Sequence, residues 1–313
     1  MTDEPQSTSH VLMIRPVRFI GNPQTSESNR FQSATSHEDD ERVQQAALVE
    51  FNGLASALRD AGANVIEFED TPAPHTPDSI FPNNWVSFHA DGTAVLYPML
   101  AENRRAERRM DLLEALSHQH GFRIGRVIDL THYEVSGKAL EGTGSLVLDR
   151  PNRIAYACVS PRTDMDVLGD FAQQLDYELV VFEANDRSGA AIYHTNVLMC
   201  VGENFAAICT ECIREGERAG VLSSLQRSGH ELVHLSFEQM EHFAGNMLEV
   251  RTNAGEKRLA MSRSAEQSLS AEQRNYLVQL CGPIVSASIP TIERHGGGSV
   301  RCMLAEVHLP SRR

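Results

Sequence analysis

Short hydrophobic, β-branched runs occur in pairs along this chain, and a polar turn joins the two runs of each pair. Four such pairs span residues 85–99, 145–160, 197–213 and 247–262. Their turns contain the Gly, Asn, Asp or Pro residues that tight turns require, for example Asp91-Gly92 and Pro151-Asn152. Each pair therefore predicts a β-hairpin.

A helical stretch and a further short strand follow each hairpin. In the first helical stretch Met110, Leu113 and Leu116 recur at helical spacing, and Gly121 provides a stop. The predicted helices span residues 102–121, 164–176, 215–229 and 264–282. The predicted strands that follow them span residues 126–130, 179–184, 231–236 and 284–289.

The N-terminal part fits the same plan with one hairpin strand missing. It has a strand at 11–15, a helix near 38–61 and a strand at 65–69, and residues 302–309 can supply the missing strand. The strand–strand–helix–strand module then recurs about five times, and closure of such a repeat by a C-terminal strand predicts a ring. We predict a single α/β domain over residues 1–313 with a propeller-like architecture, in which about residues 1–10 form a flexible tail. Two separate α+β domains are the alternative.

Composition restricts the partners and the compartment. The chain has 313 residues, with 28 Lys and Arg against 42 Asp and Glu, and a formal charge of −14. This acidic balance argues against nucleic acid, since a phosphate backbone selects a basic face. The first residues are polar, and no run approaches the roughly 20 apolar residues of a bilayer span. Six cysteines are too few for a disulfide scaffold, so we expect a cytoplasmic protein that binds neither nucleic acid nor membrane.

Polar residues collect where the chain enters each hairpin. The five entries are residues 77–84, 141–144, 194–196, 245–246 and 296–302. Equivalent positions in a ring of modules converge on its axis, so these entries are predicted to surround one cleft. That cleft would bring together Cys302, His194 and Glu141. Such a set permits catalysis by a thiolate, with an imidazole as its base and a carboxylate to orient the ring.

Each of these residues also has a purely structural interpretation. His194 could be a hydrogen-bonded histidine that opens a strand, and Glu141 could be a turn acid. Cys302 competes with five other cysteines. Three of them lie within apolar runs that are typical of buried thiols: Cys158, Cys200 and Cys281. Spacing alone leaves both interpretations open.

Other motifs give weaker signals. Cys209 and Cys212 form a C-x-x-C motif, but the second cysteine pair of a zinc ribbon is missing. The run Gly296–Gly298 lacks the strand-to-helix context and the lysine of a phosphate loop. We therefore expect neither a metal nor an organic cofactor. The arginines within residues 104–109 form either a solvated helix face or a contact to an anionic substrate group.

Taken together, these motifs resemble the pentein superfamily of guanidino-group-modifying enzymes. This superfamily contains arginine deiminases, dimethylarginine hydrolases and amidinotransferases. The resemblance extends from FIGNPQTSESNRFQ at 19–32 to GGGSVRCMLAEVHLP at 296–310. It is closest to the amidinotransferase-like citrulline-utilisation hydrolases, through PDSIFPNNWVSFH, YPMLAENRRAERR, EGTGSLVLDR and HTNVLMC. The resemblance implies a five-bladed α/β propeller of ββαβ modules.

The resemblance also implies roles for particular residues. The nucleophile falls on Cys302, the general acid/base on His194 and its partner acid on Glu141. The paired arginines that hold the α-carboxylate of the substrate fall on Arg104 or Arg105 and on Arg162. The remaining residues implied to face the substrate are Asp78, Phe81, Asn84 and Asn196.

Two departures from the arginine deiminases bear on the substrate. Aspartates in those enzymes correspond to Asn84 and Asn196 here. An amide both donates and accepts hydrogen bonds, which suits a ureido group better than a guanidinium that only donates. The implied reaction is hydrolysis of citrulline to ornithine, carbon dioxide and ammonia through an S-carbamoyl enzyme. Arginine or dimethylarginine hydrolysis, amidinotransfer and a catalytically silent amino-acid-binding module remain alternatives, and a homo-oligomer is possible.

Overall fold

The computed structural model describes residues 4–25, 29–32 and 40–312. Within them, fifteen strands form five three-stranded sheets. The strands are β1 His10–Arg15, β2 Asn64–Glu69, β3 Val86–Phe88, β4 Thr93–Leu96, β5 Arg126–Asp129, β6 Val147–Asp149, β7 Ile154–Cys158, β8 Glu178–Phe182, β9 Met199–Val201, β10 Phe205–Ile208, β11 Glu231–His234, β12 Leu248–Arg251, β13 Lys257–Ser262, β14 Ile284–Ala287 and β15 Ala305–Glu306. Each hairpin that the turn chemistry predicts is present.

Helices connect the second strand of each unit to its third. The α-helices are α1 Asp40–Asp60, α2 Met110–His118, α3 Gly142–Ser145, α4 Met165–Leu175, α5 Thr195–Leu198, α6 Glu215–Arg227, α7 Phe237–Glu241, α8 Arg263–Ser268, α9 Ala271–Cys281 and α10 Pro290–Gly296. Short 3-10 helices span Pro82–Asn84, Glu102–Glu107, Thr131–Ser136, Thr210–Cys212 and Val300–Met303. None of the helices in the described part of the chain has the length and apolar character to cross a membrane.

The five sheets repeat one topology, which confirms the predicted propeller-like ring. In each sheet the central strand runs antiparallel to one neighbour and parallel to the other, as β4 does between β3 and β5. The C-terminal strand β15 pairs antiparallel with β1 and completes the first sheet. Around the axis β15 contacts β3, β6 contacts β9, and β9 contacts β12. The missing hairpin strand of the first unit therefore comes from the C-terminus, as the sequence predicts.

Apolar faces of the outer helices pack against the sheets. In α1 the buried residues recur at helical spacing and include Val43, Ala47, Phe51, Leu54 and Leu58. This face contacts α10 and β14, so the first helix packs against the last unit of the chain. Burial of each large side chain contributes about 1.5–3 kcal/mol. The predicted helix near 38–61 is observed over Asp40–Asp60, and residues 38–39 lie outside the described residues.

Three predicted segments differ from the structure. The helix predicted at 102–121 is a 3-10 helix followed by α2, because Arg108 and Arg109 adopt extended backbone conformations between the two. The helix predicted at 264–282 divides into α8 and α9, since Ser270 starts a new helix with a capping box. Within 302–309 only Ala305 and Glu306 form a strand.

The N-terminal segment is packed rather than a flexible tail, so this expectation is wrong for residues 4–10. Gln6 Nε2 donates to the carbonyl oxygens of Leu148 at 2.9 Å and Val201 at 3.0 Å, which belong to two neighbouring sheets. Ser7 Oγ donates to Glu249 Oε1 of a third sheet at 2.9 Å. The segment therefore links three units of the ring. Residues 1–3 lie outside the described residues.

We expect Glu4→Gln to destabilise the fold, because Glu4 Oε1 lies 2.7 Å from Nη1 of buried Arg150. Removing one partner of a buried ion pair costs about 3 kcal/mol or more. Arg150 retains a second acidic partner, Glu306, at 3.7 Å, which limits the loss. Burial raises the pKa of Glu4, but Arg150, His89 and His308 together outweigh burial and hold this pKa well below its ordinary value of 4.5. The loss of stability is therefore full above pH 4.5 and shrinks as the pH falls below it.

Urea unfolding at neutral and at acidic pH measures this effect. Glu183→Gln is the matched control, because Glu183 forms an exposed ion pair with Arg214 at 2.9 Å. That change is expected to alter the free energy of unfolding by less than about 1 kcal/mol. Equal unfolding midpoints for Glu4→Gln and the wild-type protein at neutral pH would show that this ion pair does not hold the N-terminal segment.

Candidate active site

The polar hairpin entries meet at one end of the ring axis, as the repeat predicts. The 3-10 helix Pro82–Asn84 contacts both α3 and the 3-10 helix Val300–Met303, and α3 contacts α5. These segments surround a cleft with a volume of about 10 Å³, so the lining side chains nearly fill it. The lining residues are Asn29, Asp78, Phe81, Asn84, Arg104, Arg162, Tyr193, His194, Gly296, Gly297, Gly298 and Cys302.

Two glycines of α3 allow its close approach to the neighbouring segments. A Cβ atom on Gly142 would lie 2.2 Å from the carbonyl oxygen of Asn83, and the φ of Gly142 is +45°. A Cβ atom on Gly144 would lie 2.5 Å from Asn84 Nδ2 and 2.8 Å from His194 Nδ1. The EGTG motif is therefore explained by packing against two candidate site residues.

We expect Gly144→Ala to lower kcat/KM about 100-fold, because the added methyl group displaces Asn84 and His194. A misplacement of about 1 Å is sufficient for an effect of this size. Steady-state kinetics with the preferred substrate measure it. Gly169→Ala is the control, since Gly169 lies in α4 with no atom within 4 Å of an added Cβ. If Gly144→Ala retained full activity, the close packing of α3 against the cleft would have no catalytic importance.

His194 and Glu141 form a buried hydrogen-bonded pair. His194 Nε2 lies 2.8 Å from Glu141 Oε2. Burial raises the pKa of Glu141, but the guanidinium groups of Arg162 and Arg104 and the bond to the imidazole outweigh burial, so the carboxyl is ionised. An ionised carboxylate only accepts hydrogen bonds, so Nε2 of His194 donates and Nδ1 is the basic nitrogen.

The imidazole of His194 is neutral at physiological pH. Burial, together with the nearby guanidinium groups of Arg162 and Arg104, outweighs the opposing effect of Glu141 and lowers the pKa of the imidazole to about 4. A neutral ring is able to accept a proton from a thiol or from water. The pair therefore has the orientation and the protonation state of a general base with its orienting carboxylate.

Of the two neighbouring arginines, Arg104 lies at the cleft and Arg105 does not. Arg104 donates to both oxygens of Glu107 at 2.9 Å and to Asn84 Oδ1 at 3.1 Å. Arg105 is half-buried, with Nε 3.3 Å from the carbonyl oxygen of Met99. Of the two alternatives that the sequence left open, the structure places Arg104 at the cleft and Arg105 away from it. The 3-10 geometry of this segment turns the two side chains in different directions.

Arg162 lies on the opposite side of Glu141. Its Nη1 atom is 3.3 Å from Glu141 Oε2, and its guanidinium carbon is 4.9 Å from the ring centroid of Tyr193. Tyr193 in turn donates a hydrogen bond to the carbonyl oxygen of Gly297 at 2.5 Å. Arg162 is thus held between an acid and an aromatic face while it lines the cleft.

Cys302 lies in the 3-10 helix Val300–Met303, and two amide side chains surround its sulfur. Asn196 Nδ2 is 3.6 Å from Sγ, and Asn246 Nδ2 is 3.3 Å from it. His194 and Cys302 line the same cleft. The six cysteines are free and buried, but the other five do not line it.

Asp78, Phe81 and Asn84 also line the cleft, as the resemblance implies. Asp78 Oδ2 accepts a hydrogen bond from Asn22 Nδ2 at 2.7 Å. Its other oxygen, Oδ1, is buried without a hydrogen-bond partner among the described residues. Phe81 forms the wall against Gly296 and Gly298, where added Cβ atoms would lie 2.7 Å and 3.0 Å from its ring.

The sequence prediction omits several residues that contribute to the site. Asn246 lies in a predicted hairpin entry, so its position in the repeat could have identified it as a site residue. Glu107 and Asn29 had no such signal, because their importance depends on how loops from different units pack. A larger groove of about 730 Å³ lies elsewhere, lined by residues that include Ser236, Arg263 and Glu293. None of the predicted site residues lines that groove.

The C-x-x-C motif lies at the end of the third hairpin, in the 3-10 helix Thr210–Cys212 and the residue before it. Cys209 and Cys212 are buried, and Cys212 Sγ lies 2.9 Å from the carbonyl oxygen of Cys209. In the described part of the chain no group of three or more His, Cys, Asp or Glu side chains is arranged to hold a metal ion.

The five-unit α/β ring is the fold of the pentein superfamily, to which guanidino-group-modifying enzymes belong. A family model described as "N,N dimethylarginine dimethylhydrolase, eukaryotic" matches residues 15–309. The chain belongs to this family. A search of curated protein sequences finds no match.

Solved structures with the same fold include arginine-metabolising enzymes. The N-terminal domain of ArgZ, a cyanobacterial arginine dihydrolase from the ornithine-ammonia cycle, was solved as a cysteine-to-serine variant bound to substrate. It has a TM-score of 0.72 and 18% identity, with 95% of this chain and 97% of that chain covered. A dimethylarginine dimethylaminohydrolase adduct with S-methyl-L-thiocitrulline has a TM-score of 0.63 and 16% identity, with coverages of 95% and 98%.

The chain spans about two fifths of the ArgZ and AgrE chains. It covers 41% of full-length ArgZ, at a TM-score of 0.73 and 18% identity, and 40% of AgrE in its ternary complex with ornithine and NAD⁺, at the same values. These likenesses concern the fold alone.

Proposed function

We propose that this chain acts as a single catalytic domain that hydrolyses citrulline to ornithine, carbon dioxide and ammonia. The observation that carries the proposal is the charge of the cleft. Arg104 and Arg162 line it, with Asp78 as the carboxylate among the lining residues. Glu141 lies 3.3 Å from Arg162 and 3.5 Å from Arg104. Asp78 lies 3.5 Å from Arg104, so the carboxylates are already paired with the two guanidinium groups. A cleft without excess negative charge does not select a cationic substrate head, and the ureido group of citrulline is neutral.

The amides at Cys302 support the same substrate. Among the described residues, the side chains within hydrogen-bonding distance of the sulfur are Asn196 and Asn246, whose Nδ2 atoms lie 3.6 Å and 3.3 Å from it. An amide N–H can donate to the carbonyl oxygen of a ureido group as well as to a thiolate. A guanidinium has no acceptor for such a donor.

The first half of the reaction forms a covalent intermediate. The thiol proton of Cys302 passes to Nδ1 of His194, and the thiolate attacks the ureido carbon. Collapse of the tetrahedral adduct breaks the bond to the δ-nitrogen, which takes the proton from His194 and leaves as the amine of ornithine. The carbamoyl group remains on the sulfur. Arg162 is the proposed partner of the substrate carboxylate, and Arg104 positions Asn84 and Glu141.

The second half releases the carbamoyl group. His194 accepts a proton from water, and the resulting hydroxide attacks the S-carbamoyl carbon. The carbon–sulfur bond breaks, the thiolate regains its proton, and the released carbamic acid decomposes to ammonia and carbon dioxide. General acid–base catalysis of this kind contributes about 10²–10⁴-fold. The residues named here supply every proton transfer, and we propose no cofactor.

Arginine is the second candidate substrate, hydrolysed first to citrulline and then to ornithine. Asp78 favours it, because its buried Oδ1 atom has no hydrogen-bond partner among the described residues and could accept from a guanidinium. The description of the matching family names dimethylarginine, which is therefore the third candidate substrate to be compared. Asp78→Asn separates these candidates, since it removes the charge that a cation requires while a neutral ureido group still finds an amide oxygen.

The test is to measure kcat/KM with citrulline, arginine and dimethylarginine for the wild-type protein and for Asp78→Asn. We expect ornithine from citrulline, with a value at least about tenfold above those for the other two, which corresponds to about 1.4 kcal/mol. Conversion of arginine to citrulline without attack on citrulline would reject the proposal. Turnover that requires an acceptor amine would indicate an amidinotransferase, and binding without turnover a silent amino-acid-binding module.

A further inference from the structure

Asn246 has its side chain fully buried next to the sulfur of Cys302, at the start of the last hairpin. Its Oδ1 atom accepts a hydrogen bond from the backbone N–H of Arg301 at 3.0 Å. Its Nδ2 atom donates to the carbonyl oxygen of Asn196 at 2.9 Å and lies 3.3 Å from Cys302 Sγ. The side chain thus connects three segments from different parts of the sequence.

The two backbone partners determine which way the amide of Asn246 points. The N–H of Arg301 can only donate, so it requires the amide oxygen, and the carbonyl of Asn196 can only accept, so it requires the amide nitrogen. A reversed amide would face each backbone group with the wrong atom. The second hydrogen of Nδ2 is therefore available for the sulfur. Asn246 Oδ1 lies farther from Sγ, at 3.7 Å. Among the described residues no backbone group fixes the amide of Asn196 in this way, and its Nδ2 and Oδ1 lie 3.6 Å and 4.0 Å from Sγ.

The Cys302 sulfur requires a hydrogen-bond donor or a positive charge nearby if it is to react as a thiolate. A thiolate is commonly stabilised by a nearby positive charge, and a protonated histidine often supplies it. His194 is neutral here, because burial lowers its pKa to about 4. The titratable and charged groups that line the same cleft are Asp78, Arg104, Arg162, Tyr193 and His194. The closest described donor to Sγ among the side chains is Nδ2 of Asn246.

We propose that Asn246 is a catalytic residue that donates a hydrogen bond to the Cys302 sulfur and stabilises it as the attacking thiolate. This inference rests on the proposed role of Cys302 as nucleophile but not on the identity of the substrate. Gly245 allows the contact, since a Cβ atom there would lie 2.3 Å from the carbonyl oxygen of Val197. Asn246 thereby approaches α5 closely enough to bond Asn196.

The test follows alkylation of Cys302 by iodoacetamide as a function of pH, with peptide mapping to assign the modified cysteine. Asn246→Asp keeps the acceptor for Arg301 and replaces the donor with a carboxylate oxygen. We expect its half-maximal alkylation rate at a pH at least one unit above that of the wild-type protein. Alkylation at neutral pH would then be at least about tenfold slower. Asn253→Asp, in the exposed turn between β12 and β13, is the control and should leave the profile unchanged.

Asn246→Ala keeps the test decisive if the aspartate variant does not fold. It removes the donor without adding a charge, and we expect a smaller upward shift in the same direction. A profile that coincides with the wild-type profile in a folded variant would overturn the proposal, even if kcat fell, because it would leave Asn246 only a positioning role. Since alkylation requires no substrate, failure of citrulline as substrate would not affect this readout.

Discussion

Replacement of Cys302 by serine is expected to lower turnover of citrulline by at least about 10³-fold and to leave binding measurable. Loss of a catalytic nucleophile has effects of this size or larger. A serine hydroxyl is a much weaker nucleophile than a thiol at neutral pH, and the neutral His194 does not form a stable ion pair with it. Steady-state kinetics measure the loss, and isothermal titration calorimetry with citrulline measures retained binding.

Cys200→Ser is the matched control for this prediction. Cys200 lies in β9, and burial raises the pKa of its thiol to about 12, which makes it a poor nucleophile. We expect this variant to retain activity within about twofold when measured below its melting temperature, with a loss of about 0.5–3 kcal/mol of stability because a hydroxyl group is buried in an apolar site. Unchanged turnover by Cys302→Ser would show that another group performs the attack.

Glu141→Gln is expected to lower kcat about 10²–10⁴-fold and to destabilise the protein. Glu141 Oε2 accepts from His194 at 2.8 Å and lies 3.3 Å from Arg162 and 3.5 Å from Arg104. Glutamine loses the charge that orients the imidazole and balances two buried guanidinium groups. Because removal of one partner from a buried charge cluster costs about 3 kcal/mol or more, the melting temperature should also fall.

The activity and stability effects of Glu141→Gln can be separated. Kinetics measured well below the melting temperature of the variant report the catalytic loss on folded protein. Glu67→Gln is the control, since Glu67 pairs with Arg59 at 2.9 Å at the edge of the first sheet and should affect neither property strongly. A Glu141→Gln variant with wild-type kcat would contradict the role of the carboxylate in orienting His194.

The fold could be predicted from the sequence because the patterns that indicate it, hairpin turns and the strand–strand–helix–strand module, are local and repeated. Each hairpin carries its own turn residues, as at Asp91 and Gly92, and the module recurs often enough to imply closure. The pairing of β15 with β1 follows from the one unit that lacks a strand. Positions equivalent in the repeat also located the segments that carry Cys302, His194 and Glu141 around one cleft.

The sequence was less informative where a side chain's direction depends on tertiary contacts. Arg104 and Arg105 are adjacent and chemically identical, and only the buried ion pair with Glu107 shows which one turns inward. The N-terminal segment is polar and resembles a solvated tail, yet Glu4 is buried against Arg150. Its ordering depends on partners more than 140 residues away in sequence.

The protonation states of the site residues could not be predicted from the sequence either. The sequence is compatible with a protonated His194 that pairs with a thiolate and with a neutral His194 that acts as a base. Burial lowers the pKa of His194 and so favours the neutral form. Because His194 is neutral, the Cys302 thiolate depends on a donor such as Asn246. Two backbone groups of distant segments determine the orientation of the Asn246 amide. Chemistry that depends on desolvation is visible only once the chain is folded.

A single-turnover reaction with citrulline labelled with ¹³C at the ureido carbon tests the central claim most directly. The protein is mixed in excess over the substrate, quenched with acid, digested and analysed by mass spectrometry. We predict release of ornithine together with transient ¹³C-carbamoyl on the peptide that contains Cys302, followed by labelled carbon dioxide. Ornithine released without label on that peptide at any time, or no ornithine at all, would contradict hydrolysis of citrulline through Cys302.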